Sequence, residues 1–459
     1  MNLPEVRGPA QRKLSFKEKL KWTLIILVAF FVLSVIPLFG LGDNQLEQFE
    51  QLSIILGANF GSIMSLGIGP IVTASIVLQL LKGSGLLKLD TSTHEGRTFF
   101  QGIQKVLAVF FIIFEAIIYV LMGGLAPSAA LSPGAYGITQ FLLVMQLCFG
   151  GFLVLFMDEV IQKWGFGSGI SLFIAAGVSS QLIVRAFSPL TVNGLWAFGT
   201  SQAPVGKVWV FFISLLSRNP VEATLAISAI LATIVVFVFS IYGQAMKIEI
   251  PLSFGRIRGH GIRWPLNFIY TSNIPVILVA ALLANLQLWA KLLEGWGHPI
   301  LGTFVGNQPV SGFVSWIYAP NLVEDIIKGV FSPSVLSHAL VYCLFMIGGA
   351  IIFSIFWMQT AGMDARSQAN QIMGSGLQIP GFRRDPRVIE QILKRYIFPL
   401  TVMGGATVGF LAASADLLGA LSRGTGILLT VMIVYRLYEE IAQQHAVDMN
   451  PMFRKVMGK

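Results

Sequence analysis

Charge is scarce in this sequence. Only 12% of its 459 residues are Asp, Glu, Lys or Arg, about half the share of a soluble domain, while 55% are hydrophobic. There are two cysteines, Cys148 and Cys343, both inside apolar stretches where a free thiol behaves as a small hydrophobe. No disulfide framework or zinc site is implied. The histidines (His94, His260, His298, His338, His445) are scattered without ligand spacing, so no metal is expected. GFGSG at 165–169 lacks the lysine of a phosphate loop and opens an apolar run, reading as a helix-start turn. There is no H-E-x-x-H, no pair of aspartates within spans, and no Ser–His pair placed for intramembrane proteolysis. No catalytic residue, no enzyme activity and no cofactor are expected.

Long apolar runs are what the chain has in quantity. Nine lie at 22–39, 104–122, 138–157, 169–187, 223–246, 266–289, 336–358, 396–413 and 427–438 with its flanks. Each suits a membrane-crossing helix, which needs ~20 apolar residues. The first follows a polar head of 21 residues and has no small-residue cleavage site, so it reads as a span rather than a removable signal. The region 52–81 differs. It consists of two half-length runs, the first broken by Gly57, Asn59 and Gly61, the second opening with Gly67, Gly69 and Pro70. Backbone that leaves the helix at membrane depth must face protein or a water-filled cavity. Such interruptions mark transport pathways. Counted as one crossing, the pair brings the total to ten.

Ten crossings put both termini on one side. Loop parity then gives that side 25 of the 31 basic residues, which makes it cytoplasmic by the positive-inside rule. Five spans per half is odd, so residues 1–222 (spans 1–5) and 223–459 (spans 6–10) are expected to be inverted halves related by an axis in the membrane plane. A long external connection, 188–222, joins them, and a second external loop occupies 290–335. The net charge of +9 sits on the cytoplasmic face, where anionic lipid, nucleic acid or an acidic protein would answer it. Cytoplasmic loops 247–264 and 362–395 carry arginines at Gly/Pro turns rather than at span ends. As ordinary positive-inside anchors these would need no partner. An arginine in a rigid turn, however, suits bidentate contact with phosphate, as in ribosomal RNA.

At this point the sequence resembles a known family along most of its length. FKEKLKW at 16–22, LGIGPIVTASIVLQLL at 66–81, DEVIQKWGFGSGISLFIAAGV at 158–178 and IEIPLSFGRIRG at 248–259 are similar to the SecY-type central subunit of Sec protein translocation channels. So are FIYTSNIPVILVAALLANLQLW at 268–289, LKRYIFPLTVMGGATVGFLA at 393–412 and GTGILLTVMIVYRLYE at 424–439. GRIRG and TSNIPVIL give the chain an archaeal look. The external loops match no motif of the family.

The resemblance implies an all-α polytopic membrane protein whose ten transmembrane helices form two inverted five-helix halves. An hourglass pore is plugged by a half-helix at about 49–65, with Leu56, Gly57, Phe60 and Gly61 in the plug. It implies a constriction ring of Ile68, Val72, Ile170, Ile174, Ile277 and Leu429. Ile68 and Val72 are four apart and share a helix face, as do Ile170 and Ile174. Branched apolar side chains exclude water when closed and part around an extended peptide. Glu115, the only acidic residue well inside a span, falls at a lateral gate beside Thr73 and Asn285. Burying it costs roughly 2.5–3.5 kcal/mol, so a polar partner is expected. Arg256, Arg258, Arg383 and Arg384 are the candidates for ribosome contact.

The function expected is a passive protein-conducting channel of the plasma membrane, multi-pass with cytoplasmic termini. It would pass unfolded polypeptide across and release transmembrane segments sideways into the lipid bilayer. The implied partners are SecE and Secβ-like small subunits, the ribosome, and signal sequences of nascent polypeptides. The competing reading is a secondary transporter of a small solute. That reading needs polar ligands at midplane, and only Glu115, Thr73, Ser75, Asn285 and Gln79 are available.

Overall fold

The computed structural model describes the chain apart from residues 1–3, 10–13, 45–57, 84–85, 88–93, 129–130, 192–194, 199–201, 255–260, 272–273, 306–307, 330–331, 375–376, 379–385, 423 and 450–459. Helix α1 (Phe16–Val35) starts where Ser15 accepts the Glu18 amide at 3.4 Å, and it stops two residues before Pro37. It is followed by α2 (Gly69–Gly83), α3 (His94–Leu121), α4 (Pro133–Trp164), α5 (Gly169–Phe187), α6 (Lys207–Leu216), α7 (Pro220–Ala245) and α8 (Ile274–Gly295). The short α9 (Phe313–Trp316) and α10 (Leu322–Ile327) precede α11 (Pro333–Thr360), α12 (Ala365–Gly374), α13 (Pro386–Leu417) and α14 (Gly424–Met449). Proline opens α4, α7 and α11, where its missing N–H costs nothing.

Among the described residues, seven helices are long and apolar enough to cross a membrane: α4, α5, α7, α8, α11, α13 and the part of α3 from Thr98 onward. Helices α1, α2 and α14 complete the ten. The first and last carry charges at one end, and α2 has only 15 residues. At 1.5 Å per residue α2 covers about 22 Å of the ~30 Å hydrocarbon thickness. The remainder of that crossing is irregular chain.

That irregular stretch, residues 58–68, departs from the expected half-helix. Its described part is a series of turns, with Gly61 (φ +98°) and Gly67 (φ +53°) in left-handed backbone that a side chain disfavours. The Ser62 and Ser65 hydroxyls bond backbone carbonyls at Asn59 and Ser62, competing with helical pairing. The stretch is anchored to the end of α1: Leu38 N–H donates to Gly61 O at 2.8 Å, and Ile63 N–H to Ile36 O at 3.0 Å. On its other side Gly150 of α4 lets the Ile63 carbonyl approach; any Cβ there would collide with it. Leu56 and Gly57 lie outside the described residues, while Phe60 is buried in the apolar core.

Among the described residues, the named strands lie in the connections between helices. β1 (Leu41–Asn44) pairs antiparallel with β2 (Leu125–Pro127). β3 (Lys247–Phe254) and β4 (Gly261–Asn267) form a hairpin in register from Lys247↔Asn267 to Ser253↔Gly261. β5 (Phe304–Val305) and β6 (Gln308–Pro309) form a small ribbon, and β7 (Leu377–Gln378) adds to the outer side of β3 through Phe254↔Leu377. The cytoplasmic loops 247–264 and 362–395 are thus joined through a three-stranded sheet ordered β4-β3-β7, to which the second contributes only Leu377–Gln378. The apolar run expected at 266–289 also begins later, at Ile274, because Leu266 and Tyr270 are held beneath this sheet.

Two apolar cores result. The large one runs through the helix bundle. The second, formed by Ile250 and Leu266 of the hairpin, Ala369 and Ile372 of α12, and Ile389, Leu393 and Ile397 of α13, joins the sheet to the bundle's end. The Tyr270 hydroxyl closes its edge by donating to the Met363 carbonyl at 2.7 Å.

Candidate functional site

Helices α2, α5, α8 and α14 meet at the centre of the large core. Helix α14 packs on α5 and α8, and α8 packs on α2. Ile68, just before α2, is fully buried, and its carbonyl accepts the Val72 amide at 3.0 Å. Val72, Ile174, Ile277 and Leu429 are buried in the same cluster, and Ile170 packs against it half-buried. All six expected ring residues therefore lie in one apolar assembly drawn from four helices.

A cavity of about 630 Å³ opens beside that assembly. Val72, Ile170 and Ile277 line its apolar part. Gln79, Gln101, Gln104 and Gln162 also line it, with Arg436, Glu440 and the aromatic Phe100, Phe166 and Trp357. Val72 and Gln79, both lining the cavity, are seven residues apart on α2. Two turns, about 10 Å, thus carry that helix from apolar to polar lining. Polar and branched apolar side chains thus share the wall of one cavity, whose Val72 and Ile277 also belong to the buried core.

Along one flank of the cavity, α2 is packed against α3 on one side and against α8 and α11 on the other. Glu115 of α3 is 1% exposed. One of its carboxylate oxygens accepts from the Thr73 hydroxyl at 3.2 Å, and the Asn285 amide of α8 donates to that hydroxyl at 2.9 Å. Thr73 also reaches its own Gly69 carbonyl at 2.9 Å. The other Glu115 oxygen, the Asn285 carbonyl oxygen and the Tyr119 hydroxyl have no partner among the described residues. The expected trio is therefore together, under-bonded, at the seam between α2 and α8. Closer to the polar end, Gln104 of α3 donates to Ser75 at 2.6 Å, and the Lys82 ammonium approaches the Gln359 carbonyl of α11 at 3.4 Å.

Two buried carboxylates escaped the sequence reading. Asp158, near the end of α4, accepts the Ile170 amide at 3.1 Å and the Gln162 side-chain amide at 2.7 Å. It caps α5, whose N-cap Ser168 makes no side-chain bond of its own. Asp416 of α13 accepts the Tyr342 hydroxyl of α11 at 2.5 Å. A carboxylate eleven residues before the Gly169 helix start was the available signal for the first. Nothing local signalled the second. Of the cavity glutamines only Gln79 was singled out from sequence; Gln101, Gln104 and Gln162 were missed, although Gln101 and Gln104 share a helix face. Arg256, Arg258, Arg383 and Arg384 lie outside the described residues, flanking strands of the three-stranded sheet.

A bundle of long apolar helices around an internal cavity walled by both apolar and polar side chains defines a polytopic membrane protein. The chain belongs to the SecY family, whose profile matches residues 62–438, while that of the plug domain of Sec61p matches residues 28–61. The plug match overlaps the expected 49–65 segment and reaches back into α1. Protein translocase subunit SecY of Methanothermobacter thermautotrophicus is 47% identical, covering 99% of this chain and 97% of the relative. The same subunit of Pyrococcus furiosus is 41% identical over 99% and 97%. Among solved structures, a protein-conducting channel superposes with a TM-score of 0.81 at 41% identity, covering 98% of this chain and 97% of that one. Sec61 in the canine ribosome–channel complex from the endoplasmic reticulum follows at 0.78, also at 41% identity and with the same coverage.

Proposed function

We propose that this chain is the protein-conducting channel of a Sec-type translocon, passing unfolded polypeptide across the membrane and releasing apolar segments sideways into lipid. The observation that carries this reading is a cavity of mixed polar and apolar lining, walled by branched apolar side chains from four helices, beside a seam held by few polar contacts. The channel does no chemistry; the driving force comes from a partner.

In this reading Ile68, Val72, Ile170, Ile174, Ile277 and Leu429 form the constriction ring, which closes by dewetting and yields to an extended chain. Thr73, Glu115 and Asn285 latch the lateral gate. The plug, including Leu56, Gly57, Phe60 and Gly61, seals the ring from outside, and residues 58–68, bonded to α1, are its fixed end. Residues 1–222 and 223–459 are the two halves that part at the gate. Both termini are cytoplasmic, in the plasma membrane, as the 25 basic residues on that side support. The three-stranded sheet then projects into the cytoplasm, where Arg256, Arg258, Arg383 and Arg384 meet ribosomal RNA. The relatives support that partner, since Sec61 and yeast Ssh1 are both seen in ribosome complexes. SecE and Secβ-like subunits complete the assembly.

Ion conductance in a planar bilayer tests the channel. The chain with its small subunits is compared with a variant in which residues 49–57 become a Gly/Ser linker of equal length. A tight wild type and a leaky or flickering variant are expected. Silence in both, with labelled small solutes exchanging in liposomes, would move the transporter reading to first place. The docking assignment has its own test: alanine at all four arginines should flatten the salt dependence of ribosome binding, each lost phosphate contact removing somewhat less than about one unit of slope. An unaltered slope overturns it.

A further inference from the structure

The connection between α5 and α7 is built inside out. Its first part folds back on the end of α5: Val205 N–H donates to Leu190 O at 2.9 Å, and Gly206 N–H to Ser188 O at 3.0 Å. The Trp209 indole then donates to Phe187 O at 2.8 Å. Trp196, Phe198 and Trp209 form a row with ring centroids 5.7 and 5.4 Å apart. Helix α6, KVWVFFISLL, follows. Its buried residue is Ser214, 3.5 Å from the Glu222 carboxylate of α7. Phe212 and Leu215 are more than half exposed, and Leu216 is 86% exposed. A helix in water places these faces the other way round. Leu195, Trp196 and Phe198 extend the same exposed apolar surface.

We propose that α6 and the aromatic row form a platform lying in the membrane interface, in the leaflet opposite the chain termini, with lipid as the occupant of its apolar face. Three observations select lipid. The face is continuous with α7, which starts four residues after α6 ends and whose apolar segment is only 17% buried within the chain. Exposed Lys207 and Arg218 stand at the two ends of the apolar stretch, where their ammonium and guanidinium groups reach lipid phosphates. The helix is about 15 Å long, too short to cross and long enough to lie along the boundary. Tryptophan and its aromatic neighbours belong at that depth. The platform tethers the link between the two halves to the bilayer, and it rests only on the chain's being membrane-embedded, not on what the channel carries.

Spin labels read the environment directly. The channel with its small subunits is placed in phosphatidylglycerol nanodiscs, with Cys148 and Cys343 replaced by alanine and one label at a time. The labelled variants are Phe212→Cys, Leu215→Cys and Leu216→Cys, with Ile234→Cys on α7 as the lipid reference and Lys328→Cys as the water reference. The expected result is an oxygen-to-nickel accessibility ratio at all three α6 positions shifted toward the Ile234→Cys value. Ratios at the Lys328→Cys value put α6 in water and overturn the proposal. Protection from both reagents means a protein covers the face and overturns it equally. Neither of these outcomes touches the channel reading, which the conductance measurement tests separately.

Discussion

The Asn285 side-chain amide donates to the Thr73 hydroxyl at 2.9 Å, joining α8 to α2 across the seam where Glu115 is buried. Each helix belongs to a different half of the chain, so this bond is broken whenever the two part there. Hydrogen bonds between membrane helices are worth about 0.6 kcal/mol on average, about a threefold change in an equilibrium. Thr73→Val should therefore raise the open fraction by roughly that factor. The check is translocation of a substrate whose signal has been weakened: the variant should pass more of it than the wild type. Equal passage of strong and weakened signals in both proteins would show that the bond latches nothing.

Asp158 sets where α5 begins, and α5 carries Ile170 and Ile174. Losing an N-cap acceptor costs ~1 kcal/mol. Asp158→Ala should lower the unfolding midpoint in detergent and raise resting ion leak through the closed channel, because the cap positions two ring residues. Asp158→Asn keeps an acceptor oxygen for the Ile170 amide and should recover most of both effects. If alanine and asparagine behave alike, the cap is not what matters at this position.

How much of this was readable beforehand depends on the signal each residue emits. A carboxylate in an apolar span stands out, so Glu115 was found from sequence, and Thr73 and Asn285 followed from the family's motifs. The residues proposed for the ring, such as Ile174 and Leu429, emit no signal of their own: an isoleucine in an apolar helix looks the same facing lipid, core or pore. They were reached only through resemblance. The β3–β4 hairpin was legible yet missed. KIEIPLSF alternates apolar and polar residues, but Pro251 and the nearby glycines drew the eye to turns. Helix α6 was hidden among the prolines of its loop. The interruption at Gly61 and Gly67 was legible from the glycines, whereas the turns of 58–65 in place of a half-helix, and their anchoring to Ile36 and Leu38, depend on serine side-chain bonds and tertiary contacts that the reading did not weigh.

Leu393 of α13 is fully buried in the second core, between the hairpin and α12. Leu393→Ala removes a side chain the sheet rests on, at a cost of about 2–5 kcal/mol. Because the second core is joined to the bundle at one end, the loss should be local. Faster amide exchange in β3, β4 and α12, with exchange in α8 unchanged, is the expected pattern. Uniform acceleration throughout the chain would show that the two cores unfold as one. Ribosome affinity should fall with the same variant, since loops 247–264 and 362–395 would lose their shared support.

Lys247, the first residue of β3, pairs with Glu439 of α14 at 3.0 Å. Ten residues, about 15 Å of helix, separate Glu439 from Leu429 in the apolar assembly. This ion pair ties the sheet to the helix that carries Leu429. Hydrogen bonding to Glu439 raises the Lys247 pKa above its ordinary value of 10.5. A raised lysine pKa means the tie contributes in full below that ordinary value and is lost as pH climbs through the raised one. The pair is partly exposed, so its worth is below about 1 kcal/mol, and relative measurements are the sound ones. Lys247→Glu and Glu439→Lys should each lower the unfolding midpoint, and the double swap should restore most of the loss. The difference between wild type and Lys247→Gln should stay constant from about pH 7 to 9 and shrink above the lysine range. Losses that simply add in the swapped protein would show that the sheet and α14 are not coupled here.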